Sequence, residues 1–85
     1  MKLVMNDGTE VKNAEAFVSS GVLWVYMHDK TTMSKAFGIL NSSAKTKVIR
    51  SVNGGNTDIF TGYTHLFSIR EEDDGSVNAG LRKAV

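Results

Sequence analysis

Thr32-Met33-Ser34-Lys35-Ala36-Phe37-Gly38-Ile39-Leu40 is the one segment of this 85-residue chain whose apolar residues recur at helical spacing. Met33, Ala36, Phe37 and Leu40 fall at i, i+3, i+4 and i+7, a single apolar stripe on a helix of about 3.6 residues per turn. Thr32 is suited to cap the start, its hydroxyl accepting from an orphan amide, and Asn41 to end the helix in a left-handed conformation. The rest of the chain reads as strand and turn. The expectation is an α+β fold: a small antiparallel sheet or partly open barrel of about six strands, in the order β-β-β-α-β-β-β, forming one domain over residues 1–85.

Upstream of the helix, Lys2–Met5 and Thr9–Lys12 flank Asn6-Asp7-Gly8, the turn chemistry of a β-hairpin. The second strand is expected to run on through Ala14–Val18 to a turn at Ser19-Ser20-Gly21. Val22–His28 is then the strongest strand, β-branched and aromatic. Leu23, Val25 and Met27 line one of its faces, and Val22, Trp24 and Tyr26 the other. One short helix covers one face of a sheet. The second apolar face must therefore fold over into a barrel or sandwich, or meet a second subunit. Val22, Trp24 and Tyr26 are the candidate interface of a homo-oligomer.

Downstream, Lys45–Val52 alternates as a strand, with Val48, Arg50 and Val52 on one side and Ile49 on the other. Asn53-Gly54-Gly55-Asn56 is a hairpin tip, and Thr57–Thr61 returns. Gly62 interrupts, as at a bulge or bend. Tyr63–Arg70 continues with Tyr63, His65, Phe67 and Ile69 on one face. After the turn at Glu71–Gly75, Ser76–Arg82 is the last strand, with Val77, Ala79 and Leu81 on one face.

Composition narrows the function classes. Net charge is +1 and there is no cysteine, so neither a disulfide framework nor a thiolate metal site is available. A chain this short buries only roughly 60–65% of the surface its unfolded form exposes. No leader-like or membrane-spanning run is apparent, which sets the expectation of a cytoplasmic protein with no membrane partner. His28 and His65 alternate with aromatics and can be imagined as a cross-strand metal pair, but two nitrogens fall short of a zinc ligand set. Asn41-Ser42-Ser43 reads as helix-ending chemistry. Ser42 and Lys45 fit a Ser-x-x-Lys pattern that needs a far larger scaffold. The acidic run Glu71–Asp74 lacks the alternate spacing of a calcium loop and is read as a solvated turn. No nucleophile–base pair emerges. The expectation is a non-enzyme without cofactors.

A second surface combines cations with aromatics. Lys45, Lys47 and Arg50 beside the aromatics Tyr63 and Phe67 resemble in outline a platform that meets phosphates and stacks bases, and with Asn53, Asn56 and His65 they give a candidate ligand or partner surface. The near-zero net charge favours an ordinary amphipathic sheet over a nucleotide or nucleic-acid site.

Leu23-Trp24-Val25-Tyr26, Thr32–Phe37 and Thr61-Gly62-Tyr63-Thr64-His65-Leu66, together with the opening Asn-Asp-Gly-Thr, give the chain a likeness. It resembles small β-rich proteins encoded by phages and prophages of Firmicutes. That resemblance implies a phage gene product acting in the bacterial host, and it transfers no catalytic residue. The function expected is a non-catalytic interaction module, a self-associating virion or assembly accessory protein that contacts another protein. The alternative is an inhibitor of a bacterial defence system, binding an immune protein or sequestering a nucleotide signal.

Overall fold

A computed structural model describes the backbone of residues 1–6, 8–29, 33–46 and 48–83, and the side chains of all of these but 42–46. The elements run β1 (Lys2–Met5), β2 (Glu10–Lys12), β3 (Ala14–Ser19), β4 (Val22–Met27), α1 (Met33–Thr46), β5 (Val48–Asn53), β6 (Asn56–Thr61), β7 (His65–Glu71) and β8 (Val77–Arg82). They form two four-stranded antiparallel sheets, ordered β2-β1-β5-β6 and β3-β4-β8-β7, around one core. The β-rich fold with one helix is as the sequence leads one to expect. Among the described residues, eight strands in two sheets replace the expected six in a single sheet or partly open barrel.

Two corners account for the difference. The expected second strand breaks at Asn13, whose φ of 52° turns the chain out of the first sheet and into the second. Asn13 is held there by three bonds. Its amide donates to the Met1 carbonyl (3.0 Å) and its carbonyl accepts from the His28 amide (3.0 Å). Its side-chain amide donates to Asp29 Oδ1 (2.8 Å). A short polar side chain is among the few that tolerate this left-handed region. The other corner follows β6 at Gly62, where φ is 82° and a β-carbon would be strained. Asn13→Ala is expected to lose about 1–3 kcal/mol, from the left-handed backbone and the lost side-chain bond. Asn13→Gly should keep most of the backbone share, a difference that urea denaturation can read.

The inner face of the first sheet supplies Leu3, Met5, Ile49 and Ser51, and that of the second supplies Ala14, Ala16, Leu23, Val25, Met27, Val77, Ala79 and Leu81, all buried. α1 packs against β7, β5 and β8. It runs six residues past the expected Leu40 end, because Asn41 sits inside the helix and neither glycine nor proline follows it there. The strand expected from Lys45 accordingly starts at Val48, and the Asn41-Ser42-Ser43 stretch is helical backbone rather than a helix stop.

The buried face of the helix is also turned. Ala36 and Leu40 are fully buried and Ile39 packs on the core, whereas Phe37 is 49% exposed and Met33 36%. Ile39 and Phe37 stand about 200° apart around a helix, so only one of them can face inward. The sheets take Ile39. Thr32, the expected cap, lies outside the described residues, as do Asp7 of the first hairpin turn and Lys47. Among the described residues, no helix is long and apolar enough to cross a membrane.

Candidate binding face

The solvent face of β3-β4-β8-β7 is built in three rows that follow from strand register. Ser19, Val22, Arg82 and His65 form the first, Phe17, Trp24, Gly80 and Ser68 the second, and Glu15, Tyr26, Asn78 and Arg70 the third. Alternation along β4 sends Leu23, Val25 and Met27 to the core, leaving Val22, Trp24 and Tyr26 half-buried on this outer face. The expected candidate interface is therefore a surface feature of the folded chain.

β7 carries a bulge between Leu66 and Ser68. The extra residue, Phe67, keeps its ring on the outer face beside His65, while Leu66 and Ile69 pack on the core. The sequence pattern placed Tyr63, His65, Phe67 and Ile69 together. The bulge sends Ile69 inward, and the corner at Gly62 leaves Tyr63 packed on the core beside Phe60.

The rings form a connected layer. Phe17 and Tyr26 stack with centres 5.5 Å apart, and Tyr26 and His28 at 6.4 Å. Trp24 meets Phe67 edge-on at 6.2 Å, and His65 stacks on Phe67 at 6.5 Å. The Arg82 guanidinium lies 4.1 Å from the Phe67 ring centre. Such aromatic pairs contribute about 0.5–1.5 kcal/mol each beyond burial, and an exposed cation–π contact about 0.5–1 kcal/mol. Gly80 lets the layer sit close on the sheet. A β-carbon there would stand 2.9 Å from Phe67 Cζ and 3.0 Å from Trp24 Cζ3, so both rings rest directly on bare backbone.

Beside Trp24 and Tyr26 the layer opens into a shallow cleft of about 280 Å³, also lined by Ser68, Arg70, Glu72 and Asn78. Its polar side is preassembled. Arg70 donates to both carboxylate oxygens of Glu72 (3.1 and 3.4 Å), and Asn78 Nδ2 donates to Glu72 Oε1 (2.9 Å). The nearby β7–β8 turn carries Asp73 and Asp74. Hydrogen bonds from the Ser76 hydroxyl (2.6 Å) and amide (2.9 Å) hold the Asp74 carboxyl below its ordinary value.

That depression fixes a sign. The contribution of Asp74 is complete above the ordinary aspartate value and is lost as pH falls through the lower folded-state value. Asp74→Ala should thus lower the urea midpoint at neutral pH, and its difference from wild type should close in strong acid.

The described residues of the second expected surface do not gather on one face. Arg50 lies on the outer face of the first sheet, opposite Val4 and Ile59, with Asn53 and Asn56 at the β5–β6 tip. Lys45 is in the last turn of α1, Tyr63 is at the corner, and His65 is on the outer face of the other sheet. The two histidines share the aromatic face but stand at opposite ends of it. His28 follows the Met27 end of β4, with Nε2 3.2 Å from Glu15 Oε1, and His65 lies in the Val22 row, roughly 20 Å away along the strands. No group of three His, Asp or Glu side chains among the described residues is placed to hold a metal. A second cleft, about 250 Å³, lies between β2 and α1 and is lined by Glu10, Val11, Lys12, Met27, Asp29, Lys35 and Ile39.

Sequence reasoning missed Phe17, Gly80, Asn78 and Arg70 as parts of this face, and grouped Phe67 with Tyr63, His65 and Ile69 rather than with Trp24. Gly80, isolated within an apolar strand pattern, was the available signal, since such a glycine marks a close approach. No protein-family model, no curated protein and no solved structure matches the chain.

Proposed function

We propose that this chain is a non-catalytic interaction module whose contact surface is the solvent face of β3-β4-β8-β7. The observation that carries this reading is the aromatic layer laid over Gly80. Phe17 remains 44% exposed and Phe67 36%, yet both are held in place by ring contacts. Contiguous exposed apolar surface of this kind marks a binding site far more often than it serves the monomer. The sheet edges are poorer candidates. Asp58, opposite buried Ser51, puts a carboxylate on the inward register of edge strand β6, and the bulge interrupts edge strand β7. The resemblance to small phage and prophage proteins supports a virion or assembly setting for such a module.

The test is the double variant Phe17→Ser/Phe67→Ser, studied beside wild type by native mass spectrometry of protein purified from an expressing bacterium. The variant should fold, at a cost of about 1–3 kcal/mol for two half-exposed rings. It should lose any second subunit or bound mass that the wild type retains. A variant that fails to fold, or that keeps the wild-type assembly and bound mass, overturns the reading.

A further inference from the structure

We propose that the cleft beside Trp24 and Tyr26 binds a neutral saccharide ring. This rests on the aromatic face being the contact surface and names its ligand class.

Four features of the cleft select that chemistry. Its floor is open rather than enclosed: Trp24 and Tyr26 are successive outward residues of β4, Phe17 stacks on Tyr26, and Phe67 meets Trp24 edge-on from one side only. An open aromatic floor leaves a ring face for a ring-shaped ligand to lie against and does not enclose it as an aromatic cage would. The axial C–H bonds of a pyranose, polarised by its oxygens, are drawn to the negative π face of an aromatic ring.

The wall supplies donors and acceptors side by side. The Arg70–Glu72 pair is already neutralised and already oriented. Asn78 spends one amide hydrogen on Glu72, and its side chain has a second donor hydrogen and an acceptor oxygen to offer, with the Ser68 hydroxyl alongside. Vicinal hydroxyls, each both donor and acceptor, match such an edge.

Charge excludes the other stacking ligands. Glu15 and Glu72 flank the cleft and Asp73 and Asp74 follow on the adjoining turn, against Arg70, which is paired with Glu72; Arg82 lies farther along the face, over Phe67. A nucleotide phosphate would meet repulsion here, whereas nucleic-acid grooves are cationic. A second copy of the chain would have to strip water from the Arg70–Glu72 pair, although interface cores are depleted of charge. Finally, about 280 Å³ lies just below the range of drug-sized pockets and suits one or two rings.

Trp24 is the only tryptophan, so its emission reports on the cleft directly. The experiment titrates the full chain with trisaccharides of N-acetylglucosamine, of glucose and of galactose, with AMP alongside. At least one trisaccharide should shift or quench Trp24 emission saturably, with a dissociation constant in the millimolar range. AMP should not. Asn78→Ala should weaken the response roughly tenfold, and Gly80→Ala, which displaces both rings while leaving the backbone permitted, should abolish it.

No saturable response to any of the three sugars overturns the proposal, as does tighter binding of AMP. The wider reading fails separately. If sugars are silent but acrylamide quenching of Trp24 falls as protein concentration rises, the face is still a contact surface and its occupant is a second copy.

Discussion

Leu40→Ala is expected to lower stability by about 2–5 kcal/mol, whereas Phe37→Ala, one turn earlier on the same helix, should cost under about 1 kcal/mol. Leu40 is fully buried, and its removal leaves a cavity between α1 and the sheets. Phe37 is half exposed, so truncation returns little apolar area to water. An 85-residue domain has roughly 4–13 kcal/mol of total stability. The leucine change therefore removes a large share of it, and the melting temperature should fall by ten degrees or more. Urea denaturation followed by far-UV circular dichroism measures both. The opposite ranking would mean that α1 is turned about its axis, with Phe37 inward and Ile39 outward.

That comparison also shows why the helix was only half legible. Period 3.6 announced that a helix exists, and Ala36 and Leu40 were on the right face. Met33, Phe37 and Ile39 compete for what remains of the apolar arc, and local spacing cannot rank them. The ranking comes from β5, β7 and β8, which are distant in sequence. The helix end was misread for a related reason. Asn41 is a permissible stop, but nothing after it forces one, so the helix continues to Thr46.

The strands show the same division. Each stretch of alternation was legible, and so were the turns at Ser20-Gly21, Gly54-Gly55 and Asp74-Gly75, because turn chemistry is local. The splitting of two long strands was not. Asn13 reads as an ordinary strand residue unless its φ is known, and Gly62 signals a bend without saying that the chain changes sheets. The candidate face was legible where one strand carries it, in Val22, Trp24 and Tyr26. Phe17, Gly80 and Phe67 join it through cross-strand register, and Phe67 through a bulge that shifts every later residue of β7 by one. The Arg50 and His65 surface failed for the mirror reason. Residues that share a composition were assigned to one face, and the corner at Gly62 puts them on two sheets.

Register itself is open to a sharp test. Leu81 lies on the inner face between Leu23 and Leu66, and none of its surface is exposed. Leu81→Ala should cost about 2–5 kcal/mol, the same class of loss as Leu40→Ala. Arg82→Ala, the next residue on the outer face, should cost about 1 kcal/mol or less, mainly its contact with the Phe67 ring. In a strand the side-chain period is two, so a slip of one residue would carry Asn78, Gly80 and Arg82 into the core and Leu81 out to solvent. A near-neutral Leu81→Ala with a costly Arg82→Ala would report that slip. It would also dismantle the aromatic layer, since Gly80 could no longer lie beneath Trp24 and Phe67. The folded Leu81→Ala protein should instead keep the native Trp24 emission, because the change falls on the opposite side of the sheet. One strand then serves two ends: its inward residues hold the fold together, and its outward Gly80 leaves room for the rings of the proposed contact surface.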